Sequence, residues 1–118
     1  MTNTDYEVTQ VTKNFIEVNL YGEKTHIDKG YLHWALGEVI GWQQGRTNFT
    51  ARLMALIAKA DNNNRKKIAK GFREEVFAYL LWYYKEGLIT VEDSEKFIGK
   101  LREWLKSSSS DEKTGEEQ

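Results

Sequence analysis

The sequence predicts an α+β fold, predominantly helical, with an N-terminal β-hairpin of two or three short strands packed on four or five helices. Three observations lead there. The first 27 residues are rich in β-branched and aromatic side chains that alternate with polar ones, a period-2 pattern. From Asp28 onward the apolar residues recur every three or four positions, the spacing of an amphipathic helix. One later stretch, Val76 to Tyr84, carries large apolar or aromatic residues almost without a break.

Tyr6–Val11 (YEVTQV) and Asn14–Tyr21 (NFIEVNLY) read as paired strands with Lys13-Asn14 at the turn. Tyr21-Gly22-Glu23-Lys24 supplies a second turn before a short strand over Thr25–Ile27. So small a sheet is marginal in water and must pack on a helix, and its edge is a possible place for a partner strand. Asp28 is placed to cap a helix reaching about Gln44, with Leu32, Leu36, Val39 and Ile40 on one face. Gly37, Gly41 and Gly45 fall every fourth residue along it. Close packing inside the monomer, with Gly45 as C-cap, is the expectation, and a homodimer or partner groove is the alternative.

Thr47 or Asn48 caps the next helix, which runs to Ala60 with Phe49, Leu53, Leu56, Ile57 and Ala60 as its expected core stripe. Asp61 and Asn62 to Asn64 favour local backbone bonding and are read as a break. A basic turn or short helix follows (Arg65, Lys66, Lys67, Lys70), with Gly71 as its stop. Arg73–Glu86 forms the core helix, because a helix apolar all round must be covered on several sides. Its apolar run is too short for a membrane span, which needs about 20 residues. Glu74 and Glu75 sit where the dipole welcomes anions. Thr90 with Asp93 suggests a capping box for a last helix to Lys106, carrying Phe97, Ile98, Leu101, Trp104 and Leu105. The domain is thus expected over 1–106, and 107–118 (SSSSDEKTGEEQ) reads as a disordered acidic, Ser-rich tail.

The stretch NFTARLMALIAKAD, then NR, KGF and EEV, resembles short uncharacterised proteins of phages and integrated elements of low-GC Gram-positive bacteria. Those carry KGFPEEV where this chain has KGFREEV, with Arg73 in the proline position. The resemblance spans about a third of the chain. It implies no catalytic residues, but a source and a theme: a small accessory protein of a mobile element, aimed at a host machine.

Chemistry is sparse. The chain has no Cys, which removes disulfides and thiolate metal sites and suits a reducing cytoplasm. Met1 to Asp5 is polar and no apolar leader run follows. His26 and His33 are too few for a zinc site. Adjacent Glu74 and Glu75 diverge by about 100° on a helix and do not make an acid–base pair. No nucleophile motif or phosphate loop is present, so no enzyme and no cofactor is expected.

Charge is uneven. Arg46 to Arg73 carries net +7, against −3 in the first 45 residues and −3 in the last 12. The candidate contact residues are therefore Arg65, Lys66, Lys67, Lys70 and Arg73, with Trp42 as an aromatic anchor. A solvated turn is the plain reading of such a run. From the resemblance and the small size, the functional expectation is a protein that binds and inhibits a host defence protein such as a CRISPR nuclease. Direct nucleic-acid binding and self-assembly as a structural phage protein are the alternatives.

Overall fold

The computed structural model describes residues 5–86, together with 96, 99, 100, 103 and 104. The strands are β1 (Tyr6–Val11), β2 (Phe15–Leu20) and β3 (Glu23–Asp28), joined as an antiparallel meander in the order β1-β2-β3. Four helices follow: α1 (Lys29–Gln43), α2 (Phe49–Lys59), α3 (Asn62–Gly71) and α4 (Arg73–Glu86). The fold is therefore α+β with all three strands at the N-terminal end. Residues 96, 99, 100, 103 and 104 are helical. The expected capping box at Thr90, most of the last apolar stripe and the tail 107–118 lie outside the described residues.

β2 alternates as its sequence demands: Ile16, Val18 and Leu20 are buried, while Phe15, Glu17 and Asn19 are partly exposed. The Lys13-Asn14 turn is closed by Thr12, whose backbone N–H donates to the Phe15 carbonyl at 2.8 Å. At the second turn, Leu20 pairs with Glu23, leaving Tyr21 (φ 52°) and Gly22 (φ 85°) as a two-residue loop. Positive φ at both positions is the twist that matches a right-handed hairpin.

The caps follow the sequence closely. Asp28 accepts from the Tyr31 N–H at 2.8 Å and Asn48 from the Ala51 N–H at 2.9 Å. α1 ends in a Schellman motif: Arg46 N–H reaches the Gly41 carbonyl and Gly45 N–H the Trp42 carbonyl, both at 3.0 Å. Gly45, at φ 88°, supplies the left-handed residue. The room at Gly41 is filled from within the chain. A Cβ there would stand 3.0 Å from the Arg46 Cδ.

Three local expectations change. The core stripe of α2 is Thr50, Ala51, Leu53, Met54 and Ile57, whereas Phe49 is 69% and Leu56 55% exposed. The buried face is thus rotated by about one residue from the expected one. Asn62 to Asn64 do not interrupt helix. Asp61 accepts from the Asn64 N–H at 2.8 Å and starts α3 one residue later. Gly71 closes α3 without a left-handed φ, and Phe72 makes the break. Phe72 also lends its carbonyl to the Val76 N–H (3.0 Å), so α4 begins at once.

α4 lies against α1, α2, α3 and β3. Every residue from Glu74 to Trp82 is buried, while Tyr83 and Tyr84, which the sequence suggested would share the interior, are 47% and 41% exposed. Against it sit Ile16, Val18, Ile27, Leu32, Leu36, Met54 and Ile57, in one continuous core. Because a Cβ at Gly71 meets open space and the backbone is not left-handed there, Gly71→Ala is expected to stabilise the protein by about 0.5–1 kcal/mol. Urea unfolding of the two proteins measures it.

Candidate functional site

Helical periodicity distributes the basic run of α3 over three directions. Arg65 points inward: its Nε donates to the Ile57 carbonyl at 2.8 Å and its Nη2 to the Ala58 carbonyl at 3.1 Å. These are carbonyls of the last turn of α2, where helical donors run out; the Ile57 carbonyl also accepts from the Ala60 N–H at 3.3 Å. The guanidinium also lies over the Tyr79 ring at 5.2 Å and the Tyr83 ring at 6.0 Å. Arg65 thus ties three helices together. Lys67 stands on the opposite flank, beside α2.

Lys66 and Lys70, one turn apart, face β3 together with Arg73. With Lys24 and His26 of β3 they surround an open cleft of about 390 Å³, floored by Leu20 and Ala69. The acid on its rim is Glu23, 3.7 Å from the Lys66 Nζ. Both of those side chains are nearly half exposed, so the pair adds at most about 1 kcal/mol. Lys24 was not singled out from the sequence. The two-residue turn at Tyr21-Gly22 and the alternation of β3 set Lys24 and His26 on the sheet face shared with Glu17, away from the buried Ile27, so they border the cleft at the edge of the strand.

Three consecutive residues shape this cleft. The Arg73 Nε donates to the His26 carbonyl at 2.9 Å, and Glu74 accepts from the Asp28 N–H at 3.0 Å. Glu75 accepts from the Tyr31 hydroxyl at 2.7 Å. The two glutamates therefore do more than complement the helix dipole. They hold the β3–α1 junction, and Glu74 with Arg73 occupies the outer edge of β3 at Asp28 and His26, leaving less of that edge for an added strand.

Other expected residues are engaged within the fold. Trp42 packs on Tyr79 (ring centroids 6.0 Å) and Trp82 (5.4 Å). His26 stacks on Phe15 at 4.7 Å, with its Nε2 3.3 Å from Glu17. Hydrogen bonding from Thr9 holds the Glu17 carboxyl below its usual pKa, against burial, with His26 and Lys24 adding to the effect. His33 lies on α1, apart from this group.

Three tyrosines are pushed up to about 12. Tyr31 is raised first by its bond to Glu75, and Tyr84 first by its bond to Asp5. For Tyr21 burial comes first and Asp5 adds to it. The Tyr21 hydroxyl is buried with no hydrogen bond of good geometry, and the Arg65 guanidinium offsets part of that cost.

No family model, curated protein or solved structure matches this chain. Among the described residues, no helix is long and apolar enough to cross a membrane.

Tyrosines titrate near 10 in an unfolded chain, so the stability held by these three is complete below about pH 10 and is lost as pH rises through about 12. Tyr31→Phe leaves the carboxylate of Glu75, only 2% exposed and with its Oε1 already unpartnered, without its hydroxyl donor. Its expected cost at neutral pH is about 1–3 kcal/mol, with a shallower decline between pH 10 and 12 than in the parent. Denaturant titrations at pH 7, 10.5 and 12 read both effects.

Proposed function

We propose that this is a non-enzymatic binding protein of a phage or mobile element, acting in the bacterial cytoplasm, that inhibits a host defence protein. The gathering of Lys66, Lys70 and Arg73 at one cleft, bordered by Lys24 on β3, is the observation that carries this reading. Among the described residues the recess has an excess of cations, with Glu23 on its rim and Glu74 3.5 Å from the Arg73 Nε, and such an excess attracts an acidic surface and discriminates against a basic one. The metal-binding carboxylates of a nuclease centre are one such surface, which links the chemistry of the cleft to a CRISPR or comparable nuclease as target.

The same cations would also draw nucleic acid. Against that reading, no Phe, Tyr or Trp is among the described residues lining the cleft, so these offer bases little to stack on. Nor does α4, buried along most of its length, present a recognition face to a groove.

The test is capture from a nuclease-treated host lysate by the parent protein and by the double variant Lys66→Glu/Lys70→Glu. A defence protein held stoichiometrically by the parent should bind the variant at least about 30-fold more weakly, the equivalent of about 2 kcal/mol. Retention of nucleic acid alone, with steep salt dependence and only without nuclease treatment, would replace inhibition by direct nucleic-acid binding.

A further inference from the structure

The flank of α3 opposite the cleft carries a second surface, of different chemistry. Phe49, Arg52, Leu56 and Lys59 follow the i, i+3, i+7, i+10 spacing of one helical face, and α2 turns that face to solvent. Phe49 and Leu56 are the two most exposed of the large hydrophobic residues described. Phe49 leans on Phe72, ring centroids 5.9 Å apart, and Leu56 opens onto a groove of about 330 Å³ shared with Ala60, Asn64 and Ile68. The lining of that groove is mainly apolar, and two lysines, Lys59 and Lys67, stand on its two walls.

Neither exposed side chain belongs to the buried core, although Phe49 rests on Phe72 at its margin. The core stripe of α2 is complete without them. Clustered apolar groups left in water have a cost that single scattered ones do not, and such clusters mark interaction sites. Among the described residues, Lys59 and Lys67 line the groove and Arg52 lies on the same face of α2, while Asp61 is engaged as the N-cap of α3. A partner here meets an apolar floor between positive walls.

We propose that the α2–α3 groove docks an amphipathic helix of a protein partner, with a narrow apolar stripe flanked by Asp or Glu. The charge of the walls selects the acidic flanks, and the shape selects the helix. α2 is 11 residues long, about 16 Å at the usual rise, which matches apolar anchors at i, i+3 or i+4, and i+7. A β-strand partner would find no free sheet edge on this side, since α2 and α3 form both walls. Nucleic acid would leave Phe49 and Leu56 uncovered. The groove stands on different residues from the basic cleft, apart from their shared helix.

The experiment uses the full chain and a designed fluorescent peptide of about 14 residues, helical, with Leu at i, i+3 and i+7 and Glu on both flanks. A control peptide has Lys in place of every Glu. Fluorescence polarisation should show the acidic peptide binding at least about tenfold more tightly than the basic one, with the difference shrinking as salt rises. Leu56→Lys, at a position already facing water, should weaken the acidic peptide at least about tenfold while leaving the thermal melt in place. Equal affinity for the two peptides, no binding of either, or full binding by Leu56→Lys overturns the proposal. So does sedimentation showing a dimer of the parent that Leu56→Lys dissociates, which would assign the groove to a second copy of this chain.

Discussion

Arg73, Glu74 and Glu75 hold the strand end of the molecule against its helices, and much of the surface geometry depends on that hold. They follow the single-residue break at Phe72, so they project from the first turn of α4 toward the point where β3 becomes α1. Each reaches a different group there: the His26 carbonyl, the Asp28 N–H and the Tyr31 hydroxyl. Two of the three are carboxylates almost wholly removed from water, which is tolerable only with donors in reach. The contacts span more than 40 residues of sequence, so they close the fold rather than reinforce a local element. With β3 fixed in this way, α3 lies beside it and the basic cleft has two walls.

α3 is the shared wall, and its short sequence serves three masters by periodicity alone. Arg65 turns inward to satisfy the last carbonyls of α2 and to lie over Tyr79 and Tyr83. Lys66 and Lys70 turn toward β3, and Lys67 toward α2. A run that looks uniform as text is therefore one structural cation, a pair at a cleft and a single charge at an apolar groove. Replacing any one of them by another residue has a different physical meaning. Loss at Arg65 would take a donor from each of two carbonyls in the last turn of α2, whereas loss at Lys67 would alter only a rim.

The sequence was most legible where structure is set by neighbours a few residues apart. The alternation in β2, the caps at Asp28 and Asn48, Gly45 at the end of α1 and the all-round apolar α4 are of this kind. It was less legible where two local signals compete. Asn62 to Asn64 disfavour a helix interior, but Asp61 caps them into its first turn, where such residues cost little. The stripe of α2 was ambiguous because apolar side chains cover more than one face, and only the positions of α1 and α4 decide that Thr50 and Met54 go inward while Phe49 and Leu56 do not. The cleft was half legible: Lys66, Lys70 and Arg73 stood out by charge, but Lys24 and His26 join them through tertiary structure. The long-range roles of Glu74 and Glu75 left no mark beyond a placement that the helix dipole already explained.

The most direct test of this architecture is amide hydrogen exchange, residue by residue, in a Glu74→Ala variant of the full chain. The Asp28 N–H has Glu74 as its acceptor, and a hydrogen bond to a charged group is worth about 1.5–3 kcal/mol. Exchange at Asp28 should therefore quicken by roughly 10–100-fold, while the amides of β2 and α2 keep their protection. Unchanged exchange at Asp28, or an equal loss of protection throughout the molecule, would contradict the view that these side chains lock the β3–α1 junction and thereby set the cleft.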